Sequence, residues 1–576
     1  MAERPRRPWV YFGVVWALAL AAYGPALTGP FVYDDTIQRY AKPAEAAQPL
    51  IFWISGLRPM LYLSFWLNHL AFGDRPLGYH LVNIAIHVLN TALVFLVVRK
   101  LLILYRTSAA GWKQDLLTAF AAGVFLLHPI QTESVAYIAS RSETLCAFFI
   151  LAALALFLYR LPGRLSWPAS AAVLLLLAAA SASKEQAVVL IPVLLLTDLY
   201  WNTDFSLADL RRNWRLYLPL AVCGLMAGIA VWRIVAQSPS AGFRLHEFTW
   251  AQYFFTECRV FFTYIRLLIL PVGQTLRPNV PISRTILDHG SIFGLIGIAV
   301  ILSAAIYFRR RYRLASFGIL LFVVLLAPTS SVVPLLDPQV EHRLYLPALA
   351  LILVLLEFLL RARMPQPRLA ALCVSIAVIL GGLCYARSRI WGDEVLLWKD
   401  ALVKAPDSPI PYYNVAIAYI NQRRCGEAED FLHQVPARFD RDIPMMTLRG
   451  RTEECLAKFE DAVHVLAAAA RLLPRASLYI RIGIIRTRQG KLPEALGAFE
   501  RAIELDPSSK AAYVLRGEWY ESADRLAAAA GDFQRALQLA PDDGALRQHL
   551  EKLEQRLRSS GGLAQTEAAG LTALRP

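Results

Sequence analysis

Two adjacent acids, Asp34 and Asp35, follow directly on an apolar run from Trp9 to Leu27 that is about one membrane span long. A carboxylate is too costly to hold at the bilayer centre, so the pair belongs at or just outside the membrane surface. A carboxylate placed there can accept a proton from a reacting group. Three further clusters of unusual polar residues can be put on the same side. One is His128-Pro129-Ile130-Gln131-Thr132-Glu133, with Arg141 and Glu143 beyond it; the second is Ser183-Lys184-Glu185-Gln186; the third is Glu341-His342-Arg343-Leu344-Tyr345-Leu346-Pro347. Charges at a membrane edge line a site or pair with one another; their blander use is as interface anchors and helix caps. The expectation is a pocket built around the acid pair.

The elements that must position these residues are membrane helices. The chain has 576 residues, 56% of them hydrophobic, with a net charge of +15 and a mean hydropathy of +0.43. That composition describes a polytopic membrane protein rather than a soluble enzyme. The basic residues sit in short loops between apolar runs and gather on no one soluble face, which argues against nucleic-acid binding. Apolar runs recur at 9–28, 77–103, 115–128, 143–159, 167–182, 186–200, 215–235, 290–308, 314–333, 343–361 and 369–386, giving about eleven spans. Two aromatic and charged stretches, 59–72 and 249–272, read as helices lying along the surface. Arg4, Arg6 and Arg7 before the first run mimic a signal peptide, but the run is too long and lacks a clear cleavage site. With that N-terminus inside, the short loops on its side carry an excess of Lys and Arg, including Arg99, Lys100, Arg106 and Lys113; Arg160 and Arg164; and Arg211, Arg212 and Arg215. All four polar clusters then fall outside, and so does the C-terminal part.

Composition changes at Arg387, and a period of 34 residues follows: Gly483 and Gly517, Tyr479 and Tyr513, Ala495 and Ala529, Phe499 and Phe533, Ala502 and Ala536, Pro507 and Pro541. This is a tetratricopeptide pattern. Small residues let two antiparallel helices pack closely, aromatic residues fill the gap, and Pro ends the second helix. The pattern is strong over 476–509 and 510–543 and weaker before them. The expected organisation is all-α: a membrane domain over 1–388, a linker over 389–409, a repeat solenoid over 410–557 ending in a capping helix, and a disordered tail over 558–576. Cys146, Cys223, Cys373 and Cys384 lie in apolar runs, and the seven cysteines form no zinc pattern and no dense disulfide framework.

The order Tyr33-Asp34-Asp35, His128-Pro129 with Thr132-Glu133 and Arg141, Ser183-Lys184-Glu185-Gln186, Arg343-Leu344-Tyr345-Leu346-Pro347, then Trp391 and Trp398 before the repeats, resembles the transmembrane and tetratricopeptide repeat-containing (TMTC) family of the GT-C superfamily. The resemblance implies a GT-C-like membrane domain and a protein O-mannosyltransferase. Such an enzyme takes a hexose from a polyprenyl-phosphate carrier, and its repeats lie on the outer or luminal side. The compact, Ala-, Leu- and Arg-rich chain suggests a bacterial relative in an inner membrane. On that reading Asp34 or Asp35, with Asp35 slightly favoured, is the catalytic base. Arg343, Lys184 and Arg141 hold the departing phosphate, and His128, Glu133, Glu185, Glu341 and Tyr345 support them. No third carboxylate is close in sequence, so no metal is required, although adjacent acids can hold a divalent cation. The acceptor is a protein or glycan hydroxyl, and the repeats hold a protein segment. The alternative is a non-catalytic membrane scaffold whose repeats dock an envelope complex.

Overall fold

The computed structural model describes residues 8–105, 111–237, 242, 247–541 and 543–572. Arg4, Arg6, Arg7, Arg106 and the last four residues of the expected tail lie outside these. The chain divides into two compact units, Met1–Asp407 and Ser408–Pro576. Their regular elements are α-helices joined by short 3-10 turns.

In the first unit four helices are long and apolar enough to cross a membrane: Pro76–Leu104, Ile138–Tyr159, Asp288–Tyr307 and Gln366–Trp391. Shorter apolar helices cover Phe12–Thr28, Trp167–Ser181 and Arg313–Leu326. Four helices rather than about eleven therefore meet the length test among the described residues. Several apolar runs are broken where the polar clusters interrupt them. The run at 186–200 becomes a 3-10 turn, Glu185–Val189, and a helix of 12 residues, Leu190–Trp201. The run at 343–361 becomes the turn Glu341–Leu344 and a helix of 15 residues, Pro347–Arg361. Both helices fall short of the roughly 20 residues of a straight span. Much of their apolar surface packs inside the unit, including Leu190, Leu194, Leu349, Leu353 and Leu356.

Buried polar side chains tie these helices together, because an unpaired polar group away from water is costly. The Tyr345 hydroxyl lies 2.8 Å from His87 Nδ1 and accepts from Asn90 Nδ2 at 2.9 Å. Asn90 also donates to Thr144 O, and Tyr23 donates to Leu126 O. The first helix, Pro8–Tyr23, ends at Gly24 and continues as a 3-10 turn to Thr28. Gly29 follows, and a Cβ there would lie 2.6 Å from Trp391 O, so only glycine allows the acid-bearing loop to meet the end of helix Gln366–Trp391. The stretch expected as a linker is largely helical. Asp393 caps Glu394–Lys404 by accepting from Leu396 N at 2.8 Å.

The second unit stacks four helix pairs: Pro409–Asn421 with Cys425–His433, Ile443–Cys455 with Phe459–Leu472, Ala476–Arg488 with Leu492–Leu505, and Lys510–Ser522 with Leu526–Leu539. The final helix, Gly544–Thr572, runs past the expected capping segment into the stretch read as a tail. Gly483 faces Phe499, and Gly517 faces Phe533, across each pair. Cys425 and Cys455 form a disulfide with a Cα separation of 5.8 Å, joining the start of one helix to the end of the next.

A Cβ at Gly483 would lie 2.4 Å from the Phe499 ring, which is itself buried and has no room to retreat. Gly483→Ala should therefore lower the stability of the repeat unit by about 1–3 kcal/mol. Urea unfolding of the full chain, followed by a repeat-specific probe, measures this; an unshifted midpoint would refute the packing account.

Candidate active site

The acid pair sits on a short, constrained loop. Tyr33 has a φ of +50°, a left-handed conformation that a bulky side chain rarely adopts. It opens the turn Tyr33–Ile37. Asp35 closes that turn from inside. Its Oδ2 accepts from Val32 N at 3.1 Å, and its Oδ1 accepts from Tyr40 Oη at 2.9 Å and from Ala139 N at 2.7 Å. The side chain is buried, and burial pushes its acid up to about 7 in spite of the three donors.

Asp34 points the other way and is exposed. Its amide donates to Tyr137 Oη at 3.0 Å, and the Tyr137 ring stacks on Trp391 at 5.7 Å. Desolvation by the surrounding walls raises the Asp34 acid above its ordinary value. Hydrogen bonding from Tyr137 opposes that rise, the Asp337 charge adds to it, and Arg277 and His342 act against it. Tyr137 thus forms a wall in contact with Asp34, and the charges of Asp337, Arg277 and His342 reach it. Arg277 and Asp337 form an ion pair.

Behind this wall runs a chain of paired charges. His342 Nδ1 lies 2.5 Å from Glu133 Oε1, and its Nε2 lies 3.9 Å from Glu143 Oε1. Glu143 in turn pairs with Lys184. Burial pushes the Glu133 acid up to about 8 and, with the Lys184 charge, pushes His342 down to about 3. Both shifts favour an uncharged pair with one shared proton near neutral pH. Glu341 lies deeper, accepting from Gln274 Nε2 at 3.0 Å and Thr275 N at 2.5 Å, and burial raises it to about 7. The buried Arg387 guanidinium draws the acids of both Glu133 and Glu341 downward, and one of its nitrogens donates to Asp400 at 2.6 Å.

Several residues expected at the site hold the fold instead. Arg141 is fully buried. It donates to Asn83 Oδ1 and Asn68 Oδ1 at 2.7 Å and to Tyr79 O at 3.0 Å, and its guanidinium lies 4.4 Å from the Phe65 ring centre. Arg343 donates to Pro338 O at 2.7 Å and Asp337 O at 2.6 Å, shaping the loop that carries Asp337. Glu185 makes a two-toothed pair with Arg58, each contact 2.8 Å. His128 accepts from Ile130 N at its Nδ1, which leaves Nε2 to donate to Leu268 O at 3.0 Å. Tyr345 belongs to the buried His87–Asn90 network, away from the surface position expected for it. The structure thus gathers Asp34, Lys184 and Glu133 into one neighbourhood and adds His342, Glu143, Tyr137, Arg277 and Asp337. His342 and Glu143 stood inside the sequence clusters; Arg277 and Tyr137 carried no signal of their own.

Known proteins show where this chain has likenesses. The Tetratricopeptide repeat family model matches residues 480–544. Over 154 residues the chain is 40% identical to Protein O-mannosyl-transferase Tmtc1 of Drosophila melanogaster, covering 24% of this chain and 17% of that protein. Over 576 residues it is 23% identical to Protein O-mannosyl-transferase TMTC3 of Homo sapiens, covering 88% of this chain and 61% of that protein. These relatives are protein O-mannosyl-transferases by name. The chain spans less than two thirds of their length. Both are animal proteins, which lends no support to the bacterial source that composition suggested. Among solved structures, a thermophilic tetratricopeptide-repeat protein of Thermus thermophilus is 22% identical, with a TM-score of 0.26 over 31% of this chain and 96% of that one.

Among the described residues no acid pairs with Arg141, and side-chain amides, carbonyls and an aromatic face hold its guanidinium. Removing it leaves several buried acceptors unpaired. Arg141→Ala should therefore destabilise the first unit by about 3 kcal/mol or more, read as a fall in the melting temperature of the purified chain. A variant of unchanged stability that had lost only donor binding would return Arg141 to the phosphate.

Proposed function

We propose that the chain is a membrane glycosyltransferase of GT-C type that moves mannose or a similar hexose from a polyprenyl-phosphate carrier to a hydroxyl of a protein or glycan. The observation that carries this reading is Asp34: a water-accessible carboxylate with a raised acid value, turned outward by its buried neighbour and reached by the Arg277 charge. The similarity to proteins named O-mannosyl-transferases supports the reaction class.

In this reading Asp34 accepts the proton of the acceptor hydroxyl as its oxygen bonds to the sugar C1. The bond from C1 to the phosphate oxygen breaks, and the carrier phosphate leaves with the electron pair, inverting the sugar. Lys184 and Arg277 stabilise the charge growing on that phosphate. We assign them this role in place of Arg141 and Arg343, whose donors are engaged in the fold. Glu143 and Asp337 hold the two cations in position, and the Glu133–His342 pair fixes the wall between them. The reaction so drawn requires no metal. The repeats hold a protein segment, the acceptor or a partner.

Single-turnover transfer from polyprenyl-phosphate mannose separates the two acids. Asp34→Asn should bind donor and transfer about 10²–10⁴-fold more slowly. In the unsubstituted chain the rate should fall as pH drops through a value raised above that of an ordinary aspartate, because the base works only deprotonated. Asp35→Asn should instead lower stability by about 1–3 kcal/mol, since its amide turns a donor toward donors. An Asp34→Asn variant with unchanged rate would end this proposal.

We also place the repeats on the outer or luminal face of the membrane. The Cys425–Cys455 disulfide supports this, because such bonds persist in oxidising compartments. Ser508 lies on an exposed turn of the repeats. Ser508→Cys should add labelling by an impermeant maleimide in sealed cells or outward-facing vesicles; added labelling only after the membrane is opened would reverse the orientation.

A further inference from the structure

A second charged cavity lies in the first unit, between the loop after helix Arg141–Tyr159 and the turn Ala208–Asn213. It is a half-open hollow of about 430 Å³, lined by Arg164, Arg211, Arg212 and Arg215 around Leu165 and Trp214, with no acid among the described side chains of its lining. Arg164, Arg211 and Arg215 have no acidic partner among the described residues. The like charges of these three, gathered around one hollow, repel each other, and an anion between them relieves that repulsion.

The hollow is built rather than incidental. Asp198 is fully buried beneath it and accepts from Asn202 Nδ2 at 2.7 Å, Asn213 Nδ2 at 2.9 Å and Tyr217 Oη at 2.6 Å. The same two amides reach up to the loop. Asn202 Oδ1 accepts from Gly163 N at 3.1 Å, and Asn213 Oδ1 accepts from Leu165 N at 3.0 Å. The backbone on both sides of Arg164 is therefore pinned to the backbone that carries Arg212. A preference for Arg in short loops explains positive charge, but it does not call for a locked frame that points the charges into one space.

The rim identifies the anion's carrier. Trp167 and Trp214 are about half exposed and meet edge to face at 5.5 Å, and the Arg215 guanidinium lies 5.7 Å from the Trp167 ring centre. Each tryptophan begins a helix, Trp167–Ser181 and Trp214–Gln237. Tryptophan at such a level marks the boundary between headgroups and acyl chains. Further along the two helices Leu175, Leu218, Val222, Leu225 and Met226 are exposed. Cations, an aromatic rim and an apolar flank follow one another in the order of a phospholipid's own chemistry. We propose that this cavity binds the phosphate headgroup of an anionic membrane phospholipid, whose acyl chains lie along those two helices. A free phosphate would use the arginines and leave the tryptophan rim and apolar flank without a role. Cationic pockets at membrane-helix ends serve lipid headgroups in this way.

The test compares the full chain in nanodiscs of phosphatidylglycerol with the chain in nanodiscs of phosphatidylcholine, and in detergent with inorganic phosphate. The unsubstituted chain should retain phosphatidylglycerol preferentially in native mass spectrometry and melt at a higher temperature with it. Replacing Arg164, Arg211 and Arg215 together by Ala should weaken that preference about ten-fold or more, and replacing the three by Lys should keep most of it. If the triple Ala variant does not fold, Arg164→Glu alone takes its place, since that side chain is exposed and only its neighbours' amides hold the loop. Equal preference in the unsubstituted and substituted chains would overturn the proposal. So would inorganic phosphate matching the effect of phosphatidylglycerol, which would make the ligand a soluble anion.

Discussion

The acid-bearing loop of the first unit depends on one buried carboxylate. Asp35 cannot leave its oxygens unpaired away from water, so three donors from Val32, Tyr40 and Ala139 converge on it. That convergence stabilises the left-handed Tyr33 and forces the next side chain in line, Asp34, to face outward. It also joins the loop to the segment around Ala139, which brings Tyr137 against Asp34 and Trp391 against Tyr137. The close approach at Gly29 completes the frame. One acid anchors the loop, and the other faces outward beside Tyr137.

The same physical demand sorts the remaining charges. A buried guanidinium gains stability from acceptors for its donors, and Arg141 finds amide oxygens, carbonyls and an aromatic face. Arg343 finds carbonyls of its own loop. A lysine has a single compact charge, and one carboxylate, Glu143, satisfies Lys184 at the edge of the site. The contrast between Lys184 and Arg141 is therefore one of partners, since both are buried cations but one pairs with a carboxylate and the other with amides and carbonyls.

In the repeat unit the ruling constraint is helix distance. Gly483 and Gly517 remove side chains where Phe499 and Phe533 must enter, and the repeated Ala positions keep the pairs close. The disulfide between Cys425 and Cys455 adds a covalent link at the first of these stacks.

The 34-residue period was plain in the sequence, because each repeat solves the same packing problem with the same residue sizes at Gly483 and Gly517. The all-α class and the membrane character were also legible, since apolar runs follow from solvation alone. Opposite facing of Asp34 and Asp35 follows from the backbone of an extended loop, but which of them faces inward depended on donors that lie 104 residues away at Ala139. The pairing of Glu133 with His342 spans 209 residues, and Cys425 reaches Cys455 only because two helices fold back on each other. The number of long apolar helices likewise could not be read from hydrophobicity, which measures preference for a nonpolar surrounding and does not distinguish lipid from protein. Local chemistry fixes what each residue needs; the tertiary structure decides who supplies it, because the partners in a buried network are brought together by packing and not by their spacing along the chain.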